Sequence, residues 1–325
     1  MIQLSKRDFS IAVVALSLLL AWVTSVSART EVPFFEAEVK SGALEPVEHR
    51  LPENPMVVPL FEGQELGRYG GTLNSLIGNP SDVKLLFVYG YARLLGYTPS
   101  LKLVPDILAN YEVEENRIFT FTLRKNHRWS DGAPFTTEDF RYWWEDVANN
   151  PKLSPTGPPV AMLVDGKPPT VTILNELRVR YEWDQPNPDF LRHLASAAPL
   201  LIYRPSHYLK PFHEKYVDMS KMSKIQKIKF KSWASKHNRL DNLYKFDNPE
   251  LPTLQPWRNI TAAPATRFVG VRNPYFHRVD LEGRQLPYID RVVLSVSEPK
   301  LISAKLLQVM SICRYVLSSY RMQPF

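Results

Sequence analysis

The 325-residue chain holds a single cysteine, Cys313. It can form no intramolecular disulfide and no multi-cysteine metal site. It also lacks an apolar run of the ~20 residues that a bilayer-spanning helix needs; residues 11–23, apolar except for Ser17, fall short. Glycine is scarce, 13 against 28 prolines, which argues against a helical bundle and for many extended and turn segments. Catalytic spacing is absent too: there is no G-x-S-x-G elbow, Walker A loop or H-E-x-x-H, so the chemistries those motifs serve are not indicated. The seven histidines are scattered, and His207 and His213 stand six apart, which fits no helical ligand pair. No catalytic residue, metal ligand or cofactor is assigned.

What the chain does have is balance. Apolar residues make up 44% and charged residues 22%, the proportions of a soluble globular protein. The length allows one large or two ordinary domains, each with its own core. The net charge of +7 is modest, and no clustered basic motif accompanies it, so nucleic acid is not an expected partner.

Residues 1–28 have the layout of a secretory signal peptide. Lys6 and Arg7 form a basic start, the apolar run follows, and Val26-Ser27-Ala28 supplies residues suited to cleavage after Ala28. Ser5-Lys6-Arg7-Asp8-Phe9 comes within one residue of a twin-arginine signal, so the export route stays open between the general and twin-arginine pathways. No cysteine follows the run, which gives no support to a lipid anchor. A periplasmic or secreted mature protein is expected.

Residues 123–140 organise the rest. Phe119, Phe121 and Leu123 alternate with Ile118, Thr120, Thr122 and Arg124, the period-2 pattern of a half-buried strand. Asp131-Gly132 signals a tight turn. Thr136, three residues before Asp139, predicts a capped helix start. Phe140, Trp143, Trp144 and Val147 then give the helix a stripe running to about Asn149.

Trp129-Ser130-Asp131-Gly132-x-Pro134-Phe135-Thr136-x-x-Asp139-Phe140 resembles the signature of the family 5 extracellular solute-binding proteins, the peptide-, nickel- and sugar-type receptors of ABC importers. A second block carries the same resemblance: Asn248-Pro249-Glu250-Leu251-Pro252-Thr253-Leu254-x-Pro256-Trp257, Arg272-Asn273-Pro274-Tyr275-Phe276, and Leu286-Pro287-Tyr288-Ile289-Asp290-Arg291-Val292. Tyr69-Gly70-Gly71-Thr72-Leu73 is similar to the family's first core strand. The resemblance implies an α/β, type II periplasmic-binding-protein fold. Two lobes there close on ligand by hinge motion, and residues 68–305 correspond to lobe I. Residues 29–67, with prolines at 46, 52, 55 and 59, are expected to form an extended strap over the surface.

Other elements follow from local pattern. A helix is expected over residues 82–95, ending at Gly96. Hairpins are expected at 111–123, turning on Glu114-Glu115-Asn116, and at 170–183. Residues 190–198 read as a short helix, and the lysine-rich run at 221–236 as the solvated face of an amphipathic one. Asp131 and Asp139 could be read as a carboxylate pair, but a turn and a helix start account for both. Trp129, Trp143 and Trp144 are expected to pack in the core more than to stack on a ligand.

By the resemblance, lobe I loops after the first strand face the cleft, which makes Asn79, Tyr89 and Tyr91 the candidate ligand contacts. It also implies a peptide or oligosaccharide ligand, an ABC permease complex in the inner membrane as partner, and a monomer. Long family members run to nearly twice this length. The sequence departs from the family after Lys305, where Ala-Gly-Asp-(Val/Ile)-Asp-Leu-Gln is usual. One codon choice for residues 308–315, regrouped by one base, restores that segment. A frameshift near 306–308 is therefore expected, leaving 306–325 as a divergent, out-of-frame tail and the second lobe missing. Import of peptides or oligosaccharides by a truncated receptor is the leading expectation. A secreted hydrolase with an unrecognised carboxylate site, or an inert product of a broken gene, is the alternative.

Overall fold

The computed structural model describes residues 30–217 and 232–302. The expected signal peptide, most of the lysine-rich run and the expected out-of-frame tail lie outside the described residues.

The described strands are, in chain order, β1 (Met56–Val57), β2 (Thr72–Ile77), β3 (Leu95–Tyr97), β4 (Leu103–Pro105), β5 (Leu108–Glu114), β6 (Ile118–Leu123), β7 (Thr170–Asn175), β8 (Arg178–Glu182), β9 (Trp257–Asn259), β10 (Arg267–Arg272), β11 (Arg278–Val279) and β12 (Arg291–Val296). They form a four-stranded sheet in the order β2-β12-β10-β9, another in the order β5-β6-β8-β7, and the pairs β1-β11 and β3-β4. The β5–β8 sheet is antiparallel throughout. The other is mixed: β2 runs parallel to β12, and β12, β10 and β9 alternate.

The β5–β8 sheet is built from the two expected hairpins. At the first, Glu115 and Asn116 both take φ of 53°, the left-handed pair that lets a two-residue turn follow strand twist. Phe119, Phe121, Val179 and Tyr181 are buried on one face, against the Phe190–Ala195 helix. The Phe190 ring lies 4.8–5.9 Å from those of Phe119, Phe121, Tyr181 and Trp183. The opposite face is not simply solvated: Thr120 and Arg124 are buried, Arg124 donating to the carbonyls of Asp106 and Asn54.

The second core lies under the mixed sheet. Val83, Leu86 and Phe87 pack on Ile77, Phe268, Val292 and Leu294. The helix carrying them is shorter than its pattern predicts. A 3-10 turn (Pro80–Lys84) leads into Leu85–Gly90, and Tyr91 stops it with φ of 45°. Leu95 to Tyr97 is strand, not helix. Gly90 lets this end press on the chain before β9: a Cβ there would sit 2.7 Å from Pro256 and 2.8 Å from Gln255.

Two further expectations are corrected. The helix after Thr136 starts as predicted, but from Tyr142 to Ala148 it widens into π turns, with the Asn149 amide reaching the Trp144 carbonyl at 3.2 Å. The added residue per turn rotates the face, so Tyr142 is fully buried while Trp144 is only partly so. The 29–67 segment is not merely an extended strap. It has short helices at Glu36–Lys40 and Val47–Arg50 and buries Val32, Phe35, Val47, Arg50 and Leu51. Arg50 holds its burial by bonding Glu31 and the Pro274 carbonyl.

Candidate ligand-binding face

In open α/β sheets ligands bind outside the carboxyl ends of the strands. β2 and β12 end together, and the Ser297 amide donates to the Ile77 carbonyl at 2.9 Å. Gly78 and Pro299 meet across the two following loops. Asn79 sits in this loop. Its Oδ1 accepts from the Ser81 amide and hydroxyl, both at 3.0 Å, and its own amide donates to Asp82 at 3.0 Å. The reciprocal pair satisfies donors that a helix start leaves orphaned. Asn79 is exposed, and its Nδ2 makes no hydrogen bond among the described residues.

Tyr89 and Tyr91 lie elsewhere. Their helix packs across the sheet face from the carboxyl edge and finishes beside Pro256, at the start of β9. β9 runs parallel to β2, so its start marks the amino edge. The three candidates are therefore not gathered at one point. Asn79 is at one end of the helix, Tyr89 and Tyr91 at the other. Tyr89 is 56% exposed. Tyr91 has its hydroxyl committed to the Ala195 carbonyl at 2.8 Å, and burial raises its pKa.

A buried charge cluster fixes Tyr91. Asp106 accepts from His277 Nε2 (2.8 Å), Arg278 Nε (2.9 Å), Arg278 Nη2 (2.6 Å) and the Arg93 amide (2.9 Å). Arg278 Nη2 also donates to the Tyr91 carbonyl at 2.6 Å. Burial alone would raise the Asp106 pKa, but Arg278 and His277 hold it well below the carboxylate range. Burial pushes His277 down to about 4, so it donates to Asp106 as a neutral ring. The Arg93 guanidinium spends its donors on the carbonyls of Phe87, Ala92, Ser196 and Ala197. No sequence motif announces this cluster, because its members are far apart in the chain.

The Trp-Ser-Asp-Gly stretch is structural. Trp129 is fully buried and its indole donates to Asp139 Oδ2 at 3.0 Å. Asp139 also receives the amides of Ser206 (2.9 Å) and Thr136 (3.3 Å); burial pushes its pKa up to about 6. Ser130 and Thr253 exchange two hydrogen bonds, and Asp131 pairs with His207 at 2.8 Å. The two blocks of resemblance thus meet in space. Trp143 is buried as expected. Among the described residues no cluster of three or more His, Cys, Asp or Glu could hold a metal, and no helix is long and apolar enough to cross a membrane.

The model of the bacterial extracellular solute-binding proteins, family 5 (middle region), matches residues 102–310. The chain belongs to that family. It is 25% identical over 286 residues to the periplasmic alpha-galactoside-binding protein of Rhizobium meliloti, covering 81% of this chain and 38% of that protein. It is 32% identical over 109 residues to the periplasmic murein peptide-binding protein MppA of Escherichia coli, covering 30% and 20%. A solved oligopeptide-binding protein OppA superposes with a TM-score of 0.76 at 34% identity, over 89% of this chain and 45% of that one. The family 5 chain described here therefore spans less than half the length of these relatives. The sequence-based α/β, periplasmic-binding-protein assignment agrees with the observed sheets and these neighbours.

Proposed function

We propose that this family 5 chain recognises a peptide or oligosaccharide for an ABC importer, as a periplasmic binding component that delivers ligand to an inner-membrane permease and does not turn it over. The observation that carries this is the family match joined to an exposed, donor-bearing Asn79 at the carboxyl edge of parallel strands. Asp131 and Asp139, the pair a hydrolase would use, are both engaged in holding the fold. Residues 68–305 act as lobe I, and the component works as a monomer.

Asn79 and Tyr89 serve this reading as two contacts along one path. The 3-10 and α turns between them rise about 15–20 Å, roughly the reach of five extended residues. A ligand touching both is therefore an oligomer. Tyr91 acts by positioning, through its bond to Ala195.

Calorimetry of the purified chain against tri- to hexamers of peptide and sugar tests this. Asn79→Ser, which keeps the cap and removes the amide donor, is expected to weaken binding of all lengths. Tyr89→Ala is expected to weaken only the long ligands. Lack of heat with every pool, or turnover of any of them, overturns the reading.

A further inference from the structure

A groove of about 590 Å³ opens beside the π segment, within the range of small-molecule sites (roughly 300–1,000 Å³). Trp143, Val147 and Ala148 line one wall, and Arg204 and Asp241 also line it. It lies against the core of the β5–β8 sheet, which contains Trp143, Val147 and Ala148. Asn79 belongs to the edge of the other sheet.

Arg204 and Asp241 are only partly satisfied. Arg204 Nε stands 2.5 Å from Asp241 Oδ1, and Nη1 is spent on the carbonyls of Leu201 (3.0 Å) and Tyr203 (2.8 Å). Arg204 Nη2 and Asp241 Oδ2 make no hydrogen bond among the described residues, and unlike the enclosed Nε and Oδ1 they are open to solvent. Asp241 is more than nine-tenths buried. A buried ion pair is costly unless its remaining donors and acceptors are met. Here one donor group and one acceptor of the pair stay open, in two residues that both line the groove. Asn242, exposed and lining the groove, spends Oδ1 on the Lys245 amide at 2.9 Å, and its Nδ2 has no partner among the described residues. The wall is a seven-residue π segment, a conformation that concentrates at functional sites.

We propose that this groove is a second ligand site, taking a neutral hydroxyl-rich molecule such as a sugar. The two charges at the floor cancel, so a free anion meets Asp241 and a free cation meets Arg204. A pair of neighbouring hydroxyls can accept from Nη2 and donate to Oδ2 at once. Asn242 supplies a further donor, and the apolar wall takes the C–H face of the ring. This site does not depend on the reading of the Asn79 edge.

Titration of the purified chain with sucrose, followed by calorimetry and tryptophan fluorescence, tests it. One-to-one binding is expected. Thr156→Trp, an exposed position on the rim, is expected to fill the groove and abolish it. Asp241→Asn is expected to weaken it about tenfold, the loss of a charged hydrogen bond. Asn79→Ser is expected to leave it within about twofold, since a residue outside the contact does not couple to it. If Asp241→Asn disturbs folding, the loop substitution carries the test. Sucrose that does not bind, or binds equally to Thr156→Trp, overturns the proposal. Binding lost only in Asn79→Ser also overturns it, and moves the sugar to the edge of the mixed sheet.

Discussion

Gly132 meets two demands at one position. Its φ is 89°, a region costly to a side chain, and a Cβ would come within 2.9 Å of the Tyr275 hydroxyl. Gly132→Ala is expected to cost about 1–3 kcal/mol, read from urea midpoints. Adding Tyr275→Phe is expected to recover part of that; no recovery would assign the whole loss to the backbone. Acid acts on other single residues. Burial holds His277 at about 4 and His237 at about 3 against an ordinary 6.5, and His127 well below it. Their folded pKa values are depressed, so the stability from keeping them neutral is complete above pH 6.5 and is lost as the pH falls toward 4. Asp139 and Asp241, raised to about 6, work the other way: their contribution is complete below 3.8 and is lost as the pH rises through 6. Three histidines against two carboxyls predict a net loss on acidification from pH 6.5 to 4.5, steeper in Asp139→Asn. Urea midpoints that rise over that interval would refute it.

At the scale of elements, legibility followed the range of the cause. The hairpin at Glu115-Asn116 and the cap at Thr136 are set by residues within four positions, and both stand where local pattern puts them. The end of the Leu85–Gly90 helix and the start of the widening at Tyr142 both lie against distant partners. Gly90 meets Pro256, and Tyr142 turns inward to bond His237 at 2.7 Å. Neither partner can be read from the helix's own sequence. The same reason hid the Asp106 cluster and the Arg204–Asp241 pair, and split Asn79 from Tyr89 and Tyr91. Thr136 lends itself to measurement. Its Oγ1 accepts from the Glu138 amide at 3.3 Å, and Thr136→Ala is expected to cost about 1 kcal/mol, while Thr136→Ser stays near the parent. Equal losses in both would mean that the methyl group, not the hydroxyl, matters.

The whole molecule is divided by how far along the chain its sheets reach. The β5–β8 sheet closes within one stretch from Leu108 to Glu182. The mixed sheet joins β2 to β12, Thr72 facing Arg291, so its parallel pair waits on about 200 intervening residues. Non-local pairing is slow because closure entropy is lost before contacts repay it. Pulse-labelled hydrogen exchange is expected to protect β6 and β8 amides before those of β2 and β12; simultaneous protection would overturn this order. The order has a consequence in time. A ribosome adds roughly 5–20 residues per second, so Ile77, Val83, Leu86 and Phe87 leave it about 10–40 s before their strand partners at Val292 and Leu294. For that interval half of an apolar core has no other half. The β2–β12 pairing therefore makes the nascent chain a client for whatever holds unfolded polypeptides, long before it meets any ligand.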